Sequence, residues 1–326
     1  MCSHAHHLAD VHLAFVLSPI AHPSAARLTP RLPAHHLALA GLVVLIWGSN
    51  FIAVKWGLDR MEPLALCAWR FLFSFAPACL ILRPPRGHMR LVAAFGILTG
   101  LGQFGLLFIA MEHFISPAMA SVVVQAQAFF NVALAGVVLR EGIRPSQILG
   151  CLVAAAGLVV IGFCGGASAT LIGVLLTLSA ALSWAVSNVI VRKCDYRGDL
   201  LNFMVWSSLF ATLPLAALSL TLEGPAALTL PITRFDWGLV ALIAWQAYAN
   251  TVFSYAVWNA LVRRYSLSRI APLTLLIPVI TIALAVVLLD EKLAGWKILS
   301  AALIITGIGL PHMLRARMGP TKDTPA

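Results

Sequence analysis

The sequence predicts an all-α polytopic membrane protein, with ten transmembrane helices arranged as two inverted five-helix repeats. Three observations carry that expectation. The 326 residues are 60% hydrophobic and only 10% charged, whereas a soluble domain is nearer half apolar and a quarter charged. The apolar residues fall into ten runs, each close to the roughly 20 residues that span a bilayer. Two pairs of motifs also recur in the same order in the two halves.

The first run, 37–56, holds Trp47-Gly48-Ser49-Asn50 and ends near Lys55 and Trp56. The second, 64–82, contains Cys67, Arg70 and Pro77. The third, 91–111, contains Gly96 and Gly100, a spacing that lets helices approach closely. The fourth, 117–139, carries Gln125 and Gln127 and runs into Arg140-Glu141-Gly142. The fifth is 146–164. The sixth, 171–191, repeats the tryptophan motif as Trp184-Ala185-Val186-Ser187-Asn188. The seventh, 201–222, and ninth, 270–289, contain Pro214 and Pro278, which with Pro77 are expected to kink their helices. The eighth, 237–258, holds Tyr248 and Tyr255. The ninth runs into Asp290-Glu291-Lys292, and the tenth is 296–314. Helices satisfy their own backbone hydrogen bonds, which lipid does not do. The runs are too long and too uniformly apolar for barrel strands.

Of the 22 Lys and Arg residues, only Lys55, Arg60, Arg70, Arg234, Lys292 and Lys297 fall outside the termini and the alternate loops on one side. Cytoplasmic loops carry the Lys and Arg excess, so both termini are expected in the cytoplasm. The repeated motifs lie five helices apart. An odd offset inverts the second copy, as is common in secondary transporters. The expected organisation is a disordered cytoplasmic N-terminal extension at 1–34, with His4, His6, His7, His12 and His22, then one repeat at 35–165, a second at 166–314, and a cytoplasmic tail at 315–326.

The net charge of +10 sits in short gaps between apolar runs. No basic surface interleaved with aromatics appears, so nucleic acid is not expected as a partner. Cys2, Cys67, Cys79, Cys151, Cys164 and Cys194 form no CxxC pair, and no His/Cys cluster has zinc spacing. They read as buried free thiols, with no metal and no cofactor. There is no His-Glu-x-x-His, no Gly-x-Ser-x-Gly and no pair of buried aspartates, so an intramembrane enzyme is a distant alternative, as is a structural or sensory membrane module.

Several residues resemble a known family. Trp47-Gly48-Ser49-Asn50-Phe51, the pair Arg70-Phe71 and the loops at Glu141 and Glu291 resemble the EamA-type branch of the drug/metabolite transporter superfamily over residues 37–314. Val124-Gln125-Ala126-Gln127-Ala128-Phe129-Phe130, Gly102-Gln103-Phe104, Ala271-Pro272-Leu273 and Leu288-Leu289-Asp290-Glu291-Lys292-Leu293 resemble its bacterial O-acetylserine and cysteine exporters. The resemblance implies ten helices in two repeats and export of cysteine-pathway metabolites across the bacterial inner membrane. The expected partners are a small-molecule substrate and membrane lipid, with a homo-oligomer left open. Other amino acids, bases or amphiphilic drugs are the alternative cargo.

Arg70 is the only cation well inside a run. An arginine there costs roughly 2.5–3.5 kcal/mol on insertion scales, so it should face the bundle or a wet cavity. It can hold a substrate carboxylate with two parallel hydrogen bonds. The alternatives are pairing with helix-end carbonyls or a loop acid, or snorkelling to the outer interface. Gln103, Gln125 and Gln127 are amides that hydrocarbon leaves needing partners, either in a polar pocket or between helices. On a regular helix Gln125 and Gln127 point about 200° apart, so both should not face one small pocket.

Asn50 and Asn188 follow the repeat tryptophans by about a turn and either face each other across a pathway or pack helices. Asn131 and Asn250 are further buried amides. Trp47, Trp184, Trp206, Trp245 and Trp258 are candidate pathway walls, while Trp56, Trp237 and Trp296 read as interface anchors. Tyr248 and Tyr255 are expected to share a helix face as pocket hydroxyls. No acid lies mid-span. Glu112, Glu141, Asp290 and Glu291 fall at ends, with Glu112-His113 the nearest proton-handling pair, so the coupling ion is left open.

Overall fold

The computed structural model describes residues 33–140, 142, 145–194, 196, 198–233, 235–265 and 271–318. Residues 1–32 of the expected extension, Glu141 and residues 319–326 of the expected tail lie outside the described residues. Among those described there is no strand, only an isolated bridge between Ile115 and Ala169.

The helices are α1 (Ala34–Leu58), α2 (Pro63–Phe75), α3 (Met89–His113), α4 (Pro117–Val138), α5 (Pro145–Cys164), α6 (Leu171–Lys193) and α7 (Leu200–Leu222). After a short helix, Pro225–Thr233, come α8 (Trp237–Ala244, Trp245–Phe253 and Ser254–Arg264), α9 (Leu276–Leu288, after the turn Ala271–Leu275) and α10 (Gly295–Met318). Helix α10 thus runs on into the stretch expected as tail. Seven helices, α1 to α7 with α2 counted to Leu80, are long and apolar enough to cross a bilayer. The short helix with α8 forms an eighth candidate, bent by 108°, and α9 and α10 hold shorter apolar stretches.

Polar residues between the runs start the helices. Ser116 caps α4, with Pro117 in its first turn. Thr170 Oγ1 accepts from the Gly173 amide at 3.1 Å to cap α6, and Asp236 Oδ1 accepts from Gly238 at 2.8 Å to cap α8. Each side-chain acceptor satisfies an amide that the helix itself leaves free. Pro77 ends α2 rather than kinking it: the helix stops at Phe75 and a 3-10 turn, Ala78–Leu80, follows. Pro214 stays inside the continuous α7, and Pro278 falls in the first turn of α9.

Helix α1 packs against α8 and α9, and α6 packs against α3 and α4, while α2 lies along α7 and α5 along α10. Exchanging each helix for the one five places on leaves these pairings unchanged. Irregular turns repeat in the same way. Both α3 and α8 contain a π turn, at Leu98–Gly105 and Trp245–Phe253. The 3-10 turn Val124–Ala126 in α4 is matched by Ala271–Leu275 before α9. Arg140 and Asp290, just past α4 and α9, have φ of 57° and 51°, a left-handed conformation uncommon outside glycine.

Gly96 and Gly100 bring α3 onto α7: added Cβ atoms would lie 2.2 Å from the Ser207 carbonyl and 2.3 Å from the Ala211 Cβ. The main core, including Leu58, Met61, Leu64, Met111, Ile115 and Met119, gathers at the end the charge pattern assigns outside, called the outer end below. Every residue of α4 from Pro117 to Ala126 is buried, but from Gln127 to Val138 only Ala135 is. Cys67 is buried, but Cys164 and Cys194 are exposed, correcting the expectation of buried thiols. Both sit at helix ends, beyond the packed faces.

Candidate functional site

Helix α2 carries Arg70 fully buried in the middle of the bundle. The Phe104 ring lies under its guanidinium at 3.8 Å, with Phe71 at 5.3 Å and Phe108 at 5.9 Å. Nη2 donates to Thr251 Oγ1 at 3.3 Å, while Nε and Nη1 meet no partner. Arg70 makes none of the ion pairs formed among the described residues. The side chain therefore does not snorkel, and it pairs with no loop acid among the described residues. A ring face attracts a desolvated cation by about 2 kcal/mol, less than the several kcal/mol it costs to bury the ion. The arrangement leaves a positive centre with two free donors aimed into protein.

The π turn of α8 positions Thr251. Its hydroxyl donates to the Gln246 carbonyl, five residues back, at 2.9 Å. Gln246 is fully buried, and both of its amide atoms lack partners. The sequence reading missed it, although a glutamine inside an apolar run was the available signal.

Next to this centre lie the two repeat tryptophans. Tyr255 packs on Trp47 at 5.7 Å and on Trp184 at 6.4 Å, and Trp258 closes on Trp47 at 5.1 Å. Trp47 Nε1 donates to the Asn250 carbonyl at 3.2 Å. Asn250 and Tyr255 flank Thr251 on α8, the residue that accepts from Arg70, so the aromatic group and the cation belong to one region. Tyr248 does not join it. It is 40% exposed and rests on Phe73 at 6.4 Å. The expected shared face assumed 3.6 residues per turn, and the wider π turn breaks that register. Trp206 is also elsewhere, donating to the Leu82 carbonyl at 3.1 Å at the far end of α2, and Trp245 is 40% exposed.

Gln125 Nε2 donates to the Thr274 carbonyl at 3.4 Å, and Gln127 Nε2 approaches Gln125 Oε1 at 3.5 Å. The two amides therefore meet, against the sequence expectation. Val124–Ala126 is a 3-10 turn, whose tighter winding brings alternate residues closer round the axis. Gln103 Oε1 and Asn50 Oδ1 are buried without partners. Asn188 is half-buried, and no hydrogen bond joins it to Asn50 among the described residues. Asn131 donates to the Gln127 carbonyl one turn back, at 2.8 Å, and serves its own helix.

The outer end holds acids that the sequence left as loop residues. Glu291 Oε1 pairs with Lys297 Nζ at 2.7 Å, both side chains largely buried, and accepts from Ser116 Oγ at 2.5 Å. Glu223 accepts from the Leu64 and Ala65 amides at 2.7 and 2.9 Å, capping α2 from the loop after α7. Glu112 Oε2 has no partner. At the other end, burial first and the Asp199 carboxylate second push the Tyr196 phenol above its ordinary value. No group of three or more metal-ligating side chains occurs among the described residues.

The sequence profile of the EamA-like transporter family matches residues 36–163 and again residues 171–310. The chain is 37% identical over 275 residues to a probable amino-acid metabolite efflux pump of Salmonella typhimurium, covering 83% of this chain and 92% of that protein. It is 35% identical over 275 residues to the protein of the same description in Escherichia coli, with the same coverage. A crystal structure 21% identical in sequence superposes with a TM-score of 0.59 over 89% of this chain and 100% of its own, a likeness of fold alone.

Proposed function

We infer, from the premise that the chain belongs to the EamA-like transporter family, that it exports small amino-acid-related metabolites across the bacterial inner membrane. Cysteine and O-acetylserine are the leading cargo. The relatives' description as amino-acid metabolite efflux pumps supports the class. The stretch from Val124 to Phe130 and its resemblance to O-acetylserine and cysteine exporters support the particular cargo.

The observation that carries the mechanism is Arg70: a buried guanidinium whose Nε and Nη1 have no partner and which pairs with no acid among the described residues. A substrate carboxylate would supply both the missing charge and the missing acceptors, and two parallel bonds to a guanidinium fix its orientation. Ten crossings follow if α8, α9 and α10 span with the seven longer helices. The twofold family match, the exchange of helix partners and the repeated π turns support two inverted repeats, divided near residues 165 and 166. Two such halves around a central site can open alternately to either face. Both termini then lie in the cytoplasm. A second cargo reading, an aromatic or amphiphilic molecule, draws on the cluster of Trp47, Tyr255, Trp184 and Trp258.

The test is export from cells. Wild type and Arg70→Ala are brought to matched membrane levels, and cysteine and O-acetylserine are measured in medium and cytosol. Excess release by wild type, lost in Arg70→Ala, is expected. Equal release by both would remove Arg70 from substrate binding. No excess from either, with protein in the membrane, would overturn this cargo.

A further inference from the structure

Gln246 is a buried amide with nothing to bond. It has no exposed surface, and neither Oε1 nor Nε2 meets a partner. Leaving both ends of an amide unsatisfied in a dry interior is unfavourable, and such groups in native proteins call for a specific account.

Its main chain already belongs to the Arg70 centre. The Gln246 carbonyl accepts from Thr251 Oγ1 at 2.9 Å, and Thr251 Oγ1 in turn accepts from Arg70 Nη2 at 3.3 Å. The side chain reaches toward α1, where a Cβ on Gly57 would lie 3.6 Å from Nε2 and 2.8 Å from a Leu66 methyl. Leu66 is one turn before Arg70 on α2, so the amide lies toward the outer end of the helix that carries Arg70, to which the Gln246 main chain is joined through Thr251. Together the two residues offer guanidinium donors, one amide donor and one amide acceptor.

We propose that Gln246 contacts the substrate in the Arg70 site, its Oε1 accepting from the α-ammonium group while Arg70 holds the α-carboxylate. The proposal rests on the reading of Arg70 as carboxylate anchor. A zwitterion brings its own negative charge to Arg70, and its ammonium then needs an acceptor but not a second protein charge. A neutral amide meets that need. A carboxylate in its place would pair with Arg70 and exclude the substrate. The site therefore selects molecules that carry both groups of an α-amino acid.

The test uses the full-length protein in proteoliposomes and counterflow of radiolabelled cysteine under reducing conditions. The competitors are N-acetylcysteine, which lacks the ammonium, and cysteamine, which lacks the carboxylate. Wild type is expected to prefer cysteine to both. In Gln246→Leu the KM for cysteine should rise about tenfold or more, the scale of a lost bond to a charged group, while inhibition by N-acetylcysteine stays within about twofold. Gln246→Glu should lose cysteine counterflow. Gln246→Asn, which keeps the amide one methylene back, should give an intermediate KM and serves if the leucine variant fails to fold.

An unchanged KM in Gln246→Leu would overturn the proposal. So would equal weakening of cysteine and N-acetylcysteine, which marks a packing role, or full activity in Gln246→Glu. A wild type that carries no cysteine would overturn that cargo and this inference with it, and one that takes cysteamine equally well would break the Arg70 reading as well. Discrimination against cysteamine beside an indifferent Gln246→Leu would leave Arg70 standing and reject Gln246 alone.

Discussion

At Arg70 a full charge is held by one threonine hydroxyl and the faces and edges of three phenylalanines. Such a group is poorly explained as a stabiliser. Replacing buried charges by apolar side chains of similar volume is often neutral or stabilising by about 1–4 kcal/mol. Arg70→Met is therefore expected to hold or raise the melting temperature of the purified protein in detergent while export falls at least about tenfold, the loss of one charge-assisted bond. Arg70→Lys should also lose export, because an ammonium neither stacks nor forks as a guanidinium does. A lower melting temperature with export intact would make Arg70 a packing residue. The cost of a charge inside an apolar run made Arg70 legible from sequence. Gln246 was as visible as a letter, but nothing in a sequence says whether a glutamine in a span finds a partner. Tyr248 was misplaced for a different reason: its spacing from Tyr255 has meaning only while the helix keeps its period.

At the scale of the helix, hydropathy was sufficient to find each apolar run and glycine spacing was sufficient to find a close helix contact, that of α3 with α7. The π and 3-10 turns were invisible, because they arise where a helix yields to its neighbours rather than from local propensity. The short helix Pro225–Thr233 falls between the seventh and eighth apolar runs, where hydropathy gives no sign of it, and Trp69 Nε1 donates to its Leu228 carbonyl at 2.8 Å. The glycine contact can be tested against a control in the same protein. At Gly100 a Cβ would lie 2.3 Å from the Ala211 Cβ, whereas at Gly41 nothing lies within 4 Å. Overpacking a tight contact costs typically 1–3 kcal/mol. Gly100→Val should therefore lower the melting temperature and the yield of monodisperse protein on size-exclusion chromatography, with Gly41→Val close to wild type. Equal tolerance of both would mean that α3 and α7 do not pack this closely.

For the whole molecule, an inverted repeat is a statement about sides, and the native cysteines can read it. Helix α5 ends at Cys164 and α6 ends just before Cys194, and both thiols are exposed. If α6 crosses once, the two lie on opposite faces, and the cationic loops put Cys194, next to Arg192 and Lys193, in the cytoplasm. The remaining cysteines are replaced by serine, leaving either Cys164 or Cys194. A membrane-impermeant maleimide added to spheroplasts should then label Cys164 at once and Cys194 only after permeabilisation. Labelling of both from outside would remove the crossing by α6. It would also remove the opposite orientation of Trp47-Gly48-Ser49-Asn50 and Trp184-Ala185-Val186-Ser187-Asn188 on which the repeat rests. The reverse pattern would keep the fold and turn it over, placing the Glu291–Lys297–Ser116 cluster on the cytoplasmic face. That cluster also marks where the two halves differ. Glu141 is followed six places on by Gln147, whereas Glu291 is followed six places on by Lys297. A buried ion pair is strongly destabilised by losing one partner. Glu291 and Lys297 therefore tie the loop after α9 to the first turn of α10, and the labelling result decides which side of the membrane that tie faces.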